Sequence, residues 1–226
     1  GDEYSATAPL KVKGQELVNA NGRLACVFDL FGRADQMSSE EASTSYTLTS
    51  SDTQTVKTLI TAIMNATMAC FSHLTSITVT YDSEDSLIDS FKPADYFRVF
   101  TGDSRLSKVR ELLGYTKCVG IFKADGQFHI FSPTVSGSTY DYQYRNDFVS
   151  TSRGFFSKVY RNRLIIPGKI TVKSSADHSP SYTGSATDAG SYALMPDLVK
   201  YVERRLASNA QAQSIAEAMI QKLQVD

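Results

Sequence analysis

The stretch that decides the fold is residues 101–133, which read TGDSRLSKVRELLGYTKCVGIFKADGQFHIFSP. Its first part places Leu106, Val109 and Leu113 at helical spacing, directly after Asp103 and Ser104, either of which can cap a helix. The remainder alternates as two strands around a Lys-Ala-Asp-Gly turn, in which Gly126 can adopt a positive φ without a steric penalty. The pattern predicts a helix followed by a β-hairpin, and it contains no pair of catalytic side chains.

The composition is typical of a soluble globular protein. The chain has 226 residues, of which 42% are hydrophobic and 21% are charged, with a net charge of −1. A nearly neutral chain has no overall field that attracts nucleic acid or anionic membranes. No apolar run reaches the roughly 18 residues that a membrane span requires. We therefore expect no membrane partner.

The cysteines give no sign of a metal site or a disulfide framework. Cys26, Cys70 and Cys118 are far apart and odd in number, and no CxxC or Cys/His ligand spacing accompanies them. Each lies among apolar neighbours, which favours buried thiols. The sequence predicts neither a bound metal nor a cofactor.

Strand and helix patterns extend on both sides of the central stretch. Residues 23–31 are apolar on both faces, which is typical of a central strand or the wall of a barrel. Asp52 can cap a helix over residues 53–70, because apolar residues recur there at helical spacing. Residues 174–191 are rich in Gly, Ser and Thr and are predicted to be a long loop. From Ser208 onward the pattern predicts a closing helix.

These patterns predict an α+β fold, with barrel-like antiparallel β domains flanking an α/β insertion and with a C-terminal helix. Residues 1–50 form the first β-rich part, a partial barrel. Residues 51–133 form the α/β insertion domain. Residues 134–226 form the second β-rich domain with the closing helix.

Two segments have the composition of subunit interfaces. One alternates tyrosines along a strand pattern, and the other mixes basic with aromatic residues between residues 153 and 173. Tyr and Arg are enriched at protein–protein interfaces. The candidate interface residues are Tyr140, Tyr142, Tyr144, Arg153, Arg161 and Arg163. The basic segment also suits single-stranded nucleic acid, although the neutral overall charge argues against a dedicated nucleic-acid binder.

Catalysis has weaker support than assembly. A hydrolase would take its acid and base from the acidic residues 82–95 and from His129, provided that the fold brings these groups together. A cross-strand partner role for His129 is the simpler interpretation, and no GxSxG nucleophile elbow is present. We expect the chain not to be an enzyme. A binding module for glycans or single-stranded nucleic acid is the main alternative to an assembly role.

Several stretches resemble the baseplate hub proteins of phage tails, of the late control D and prophage-tail groups. Residues 107–133 are similar to the segment that ends the α/β insertion in that family. Residues 188–192, DAGSY, and residues 208–223, SNAQAQSIAEAMIQKL, are similar to its later elements, with Ile220 in the place of a leucine. The resemblance carries no catalytic residues.

The resemblance implies a structural virion protein that is assembled in the host cytoplasm. Such hubs form a homo-oligomeric ring, most often a trimer, between the tail tube and the spike. The partners would be other tail or baseplate proteins. Nucleic acid would be met only as it passes through the lumen of the tube.

Overall fold

A computed structural model describes residues 8–20, 22–133, 166–176 and 179–225. These residues form ten strands: β1 (Leu10–Ala20), β2 (Arg23–Gly32), β3 (Tyr46–Thr47), β4 (Val79–Ser83), β5 (Arg98–Val99), β6 (Val119–Phe122), β7 (Phe128–Phe131), β8 (Lys169–Ser174), β9 (Thr183–Thr187) and β10 (Val199–Arg204). They also form six α-helices: α1 (Arg33–Ser39), α2 (Val56–Met64), α3 (Leu87–Ser90), α4 (Arg105–Leu113), α5 (Ala189–Leu194) and α6 (Asn209–Val225). Short 3₁₀ turns cover Ala69–Phe71 and Ala94–Tyr96.

The predicted helix and hairpin of the central stretch are confirmed. Helix α4 begins after Ser104, whose hydroxyl accepts a hydrogen bond from the Ser107 backbone N–H at 3.2 Å. Strands β6 and β7 pair antiparallel around a turn in which Gly126 has a φ of 75°. Strand β4 joins this hairpin in parallel alongside β7, so that the order of the sheet is β4-β7-β6.

Helix α2 is shorter than the helix predicted over residues 53–70. Thr55, not Asp52, caps it, and the Thr55 hydroxyl accepts from the Thr58 N–H. The Asp52 carboxylate instead accepts a hydrogen bond from the Thr49 N–H at 2.7 Å, which closes the preceding turn. The helix ends at Met64 because Ala66, two residues later, takes a left-handed φ of 56°.

The core fills the space between helices α2 and α4 and the β4-β7-β6 sheet. The apolar residues predicted on one face of α2 are buried there, as are Val109 and Leu113 of α4, whereas Leu106 is partly buried. Among the fully buried side chains is one charged group, the guanidinium of Arg105 at the start of α4. The burial of Arg105 was not predicted from the sequence.

The C-terminal part of the chain forms a second small sheet, of order β10-β8-β9, covered by α6. Strand β9 lies within the predicted loop of residues 174–191, so that this prediction was wrong for Thr183–Thr187. Its Gly184 allows a close approach, because a Cβ atom there would lie 2.3 Å from the backbone N of Gln213 in α6. The predicted closing helix is confirmed as α6.

Two contacts join the C-terminal end of strand β10 to earlier parts of the chain. The Arg205 guanidinium forms an ion pair with Asp95 at 2.6 Å. The Arg204 guanidinium lies 4.9 Å from the centre of the Tyr115 ring, a distance suited to a cation–π interaction. Burial raises the pKa of Tyr115 to about 12, so that the phenol stays protonated in this contact at neutral pH.

The fold is therefore α+β, as predicted. The barrel-like arrangement is not confirmed, because the strands of the described residues lie in four open sheets of two or three strands each. The division into three domains stays a prediction.

Candidate assembly interface

The β1–β2 hairpin presents one apolar face to solvent. Residues paired across an antiparallel ladder share a face, and the register pairs Val12 with Leu30 and Leu17 with Cys26. Six side chains of this face are at least half exposed; they are Leu10 (52%), Val12 (60%), Leu17 (64%), Leu24 (75%), Phe28 (52%) and Leu30 (50%). We call these six residues the apolar hairpin face.

The opposite face of the hairpin is mixed. It carries the charged residues Lys11, Glu16, Arg23 and Asp29, together with the exposed Val27. A β-bulge at Lys13 shifts the register of β1, and this keeps the apolar residues of both strands on one face. The hairpin is therefore amphipathic, with charges where water is expected and apolar residues where a partner could pack.

Both strands of the hairpin are edge strands within the described residues. Strands β1 and β2 are 11 and 10 residues long and pair only with each other there. Long, exposed edges with apolar side chains are sites of association with other chains. The predicted central position of residues 23–31 is not confirmed, because no third strand lies beside them in this part of the chain.

The exposed hairpin also corrects the prediction for one cysteine. Cys26 lies on the apolar side of β2 and is exposed, whereas Cys70 and Cys118 are buried as predicted. Burial raises the pKa of both buried thiols. The sequence signal was misleading at Cys26 because apolar neighbours normally indicate burial.

The six candidate interface residues lie outside the described residues. They are Tyr140, Tyr142, Tyr144, Arg153, Arg161 and Arg163. Their role at an interface stays a prediction. Sequence reasoning missed the apolar hairpin face because it assigned the same alternating residues to the inside of a sheet or barrel.

The structure does bring His129 together with an acidic residue of the 82–95 segment. The Nδ1 atom of His129 lies 3.0 and 3.1 Å from the two carboxylate oxygens of Asp82, and Nε2 lies 2.9 Å from Asp125. Lys123 forms a further ion pair with Asp82 at 2.6 Å. The hydrogen bonds to Asp125 and Asp82 raise the pKa of His129 above its usual value.

This arrangement suits an ion cluster better than a catalytic base. A histidine can donate from both ring nitrogens only as the imidazolium, which has no lone pair to accept a proton. Both carboxylates have lowered pKa values; the Lys123 ammonium is the main cause at Asp82, and the Gln127 backbone N–H is the main cause at Asp125. The cluster links β4 to β7 and to the β6–β7 turn, as expected for a cross-strand partner.

None of the helices in the described residues combines the length and the apolarity needed to cross a membrane.

Comparison with known proteins finds similarity among solved structures only. No family model matches the chain. No curated protein matches it either. Among solved structures, the chain is similar to the 43 kDa tail protein of prophage MuSo2 from Shewanella oneidensis, with 14% sequence identity and a TM-score of 0.47 over 93% of this chain. The chain spans 57% of the length of that tail protein.

Proposed function

We propose that the chain is a non-enzymatic assembly protein of a phage tail or of a related injection machine. In this proposal it is of the baseplate hub type and forms a homo-oligomeric ring, a trimer, between the tail tube and the spike. Its partners are then other tail or baseplate proteins, and its place is in the virion.

The observation that carries the proposal is the apolar hairpin face. Six large apolar side chains, each at least half exposed, are concentrated on one side of a single hairpin. A strand of 11 residues is about 35 Å long. A neighbouring subunit that covers this face removes its apolar area from water, at roughly 25 cal/mol for each Å².

A contact through the apolar hairpin face is compatible with a ring. If this face packs on a different surface of the neighbouring subunit, the contact is heterologous, and such contacts generate closed rings when the rotation between subunits closes. The trimeric state comes from the resemblance of residues 107–133 and 208–223 to hub proteins. The resemblance includes no catalytic residues, and the proposal accordingly includes no catalysis.

The first experiment is the mass in solution, measured by light scattering over a range of protein concentrations. We expect an assembly of three chains, each of 24.8 kDa. Leu24→Glu and Phe28→Glu each place a charge within the apolar hairpin face and should shift the mass toward that of a monomer. Burying an unpaired charge at an interface costs several kcal/mol.

Arg23→Glu is the matched control. It also introduces a carboxylate into β2, but on the mixed face, beside the last of the paired residues of β1. It should leave the mass of the assembly unchanged. A wild-type chain that is a monomer at every concentration would contradict the proposal and favour a binding module. An assembly that is equally weakened by all three variants would place the interface elsewhere.

A further inference from the structure

A cleft of about 840 Å³ lies along one edge of the β4-β7-β6 sheet. Its lining includes the five consecutive residues 118–122, which are strand β6 and the residue before it. Because side chains alternate between the two faces of a strand, consecutive residues line one cleft when that cleft runs along the edge of the strand. The edge of β6 therefore bounds the cleft on one side, and helix α4 bounds it on the other. We call this site the edge cleft.

The backbone of β6 directs hydrogen-bonding groups toward the edge cleft. Within the described residues, β6 pairs only with β7. Phe128 of β7 donates its N–H to the Thr78 carbonyl at 3.0 Å, which is on the opposite side, toward β4. Its pairing partner Phe122 therefore directs its own N–H and C=O away from β7, and Gly120, two residues earlier, does the same. A strand edge with such unpaired groups is a template for a further strand.

The wall opposite this edge is apolar. Leu106, Val109 and Leu113 of α4 form it together with the ring of Phe128. A strand added beside β6 would direct every second side chain toward this wall and the others away from it. The volume of the edge cleft is within the usual range for ligand sites in proteins.

The charged groups that line the edge cleft are all cations among the described residues. Arg33 at the start of α1 and Arg110 on α4 form no ion pair within the described part of the chain. Lys222 also lines the cleft, but it is already engaged by the carbonyl of Leu113. Two arginines without a carboxylate partner favour a ligand that supplies carboxylates.

We propose that the edge cleft binds an extended, acidic peptide segment of another protein, which adds to the sheet as a fourth strand beside β6. The backbone groups of Gly120 and Phe122 bond the peptide backbone. Alternate apolar side chains of the peptide pack on the α4 wall, and its carboxylates pair with Arg33 and Arg110. Main-chain hydrogen bonds give affinity in this mode of binding, and the side chains that enter the cleft give specificity.

This proposal goes beyond the assembly proposed above, because the edge cleft contains none of the six residues of the apolar hairpin face. The two proposals are also tested separately. Light scattering measures the assembly, whereas residue-resolved hydrogen exchange of backbone amides measures the state of the β6 edge.

The probe is a seven-residue peptide with blocked ends, Glu-Thr-Val-Thr-Val-Thr-Glu, added to the intact chain. Its two valines and two glutamates share one face of a strand, so that the valines can meet the α4 wall while the glutamates flank them. In the free chain we expect the amides of Gly120 and Phe122 to exchange rapidly. At about 90% occupancy both should exchange about tenfold more slowly, because only the unbound tenth of the molecules leaves them open. Amides of β4, at the other edge of the sheet, should not change.

Arg110→Glu should weaken binding of this peptide about fivefold, since an attraction at an exposed site becomes a repulsion. The same variant should bind more tightly than wild type to a second peptide in which both glutamates are replaced by lysines. Lys92→Glu is the matched control, because it reverses an exposed charge outside the edge cleft and should leave both affinities unchanged.

Four results would overturn the proposal. Slow exchange of Gly120 and Phe122 in the free chain would show that the chain itself covers this edge, and protection that grows with protein concentration would assign the edge to a second copy. Unchanged exchange at millimolar peptide would show that no strand adds there. Equal effects of Arg110→Glu and Lys92→Glu would show that the edge cleft does not select acidic peptides.

Discussion

The buried side chain of Arg105 joins the ends of three other segments. Its Nε donates to the carbonyl of Ile63 at 3.2 Å, and its Nη2 donates to the carbonyl of Met64. Its Nη1 donates to Glu40 Oε2 and to the carbonyl of Thr75, both at 2.9 Å. Ile63 and Met64 form the last turn of α2, where free carbonyls carry the negative end of the helix dipole.

We expect Arg105→Met to destabilise the protein by about 3–5 kcal/mol, although methionine fills much of the same volume. The substitution removes the cationic partner of the Glu40 carboxylate, whose side chain is only 12% exposed, and it takes one donor from each of the carbonyls of Ile63, Met64 and Thr75. Urea unfolding measures the loss of free energy. Arg98→Met, at an exposed arginine whose Nε donates to the Asp95 carbonyl, should change stability by no more than about 0.5 kcal/mol. Equal losses in the two variants would contradict this account.

The His129 cluster makes a pH-dependent contribution to stability. The folded state raises the pKa of His129 above 6.5, so that its contribution is complete below that pH and is lost as the pH rises through the raised value. Asp82 and Asp125 have pKa values below 3.8, so that their contribution is lost as the pH falls through those lowered values. The cluster therefore stabilises most between about pH 4 and pH 6.5.

The test is the free energy of unfolding at about pH 5.5 and about pH 8.5, for wild type and for His129→Asn. We expect wild type to lose more stability on going to the higher pH than the variant does. The difference between the two proteins isolates His129 from the other histidines. If both proteins show the same change with pH, the imidazolium does not stabilise the folded state.

At the scale of elements, the sequence predicted the helix–hairpin unit because each of its signals is local. A cap at Ser104, an apolar stripe on α4 and a turn at Gly126 all lie within a short stretch of chain. Helix α2 was predicted to begin too early because Asp52 does not cap it. The Asp52 carboxylate accepts from the nearby Thr49 N–H instead of from an N–H of the helix. Which of two neighbouring residues caps a helix depends on the three-dimensional geometry of the backbone, and the spacing of residues in the sequence does not show this geometry.

Strand β6 contains a glycine whose role is visible only in the packing. A Cβ atom at Gly120 would lie 2.2 Å from the ring of Phe128 on the adjacent strand β7. Gly120→Ala should therefore destabilise the protein by about 1–3 kcal/mol, because the ring must leave its position. Gly14→Ala is the control, since its nearest neighbour would be 3.8 Å away, and it should be nearly neutral in the same unfolding measurement. A neutral Gly120→Ala would show that the ring moves freely.

At the scale of the whole molecule, the sequence predicted the α+β class but not which faces remain open. Alternating apolar residues in β2 have the same pattern whether a barrel interior or solvent lies beside them. The strand pairs that assemble the sheets are also distant in sequence, as in the parallel pairing of β4 with β7.

The segment that contains Tyr142 and the basic segment that contains Arg163 allow a separate test of the proposed assembly. We expect Tyr142→Ala and Arg163→Glu to weaken oligomerisation and to leave the fold intact. Sedimentation velocity measures the first effect, and thermal unfolding checks the second. Unchanged sedimentation of both variants would show that these two residues do not lie at the interface. It would not test the apolar hairpin face, which has its own variants, Leu24→Glu and Phe28→Glu.

The open hairpin has a consequence for how the protein is made. A β-hairpin forms in about 1–10 μs, so that β1 and β2 can pair as soon as both have left the ribosome. Translation of the rest of the chain then takes roughly 10–40 s at 5–20 residues per second. During that time the six apolar side chains are available to chaperones and to other nascent chains. If the proposed assembly covers this face, the amount of soluble protein is governed by the supply of partner subunits as well as by the stability of the fold.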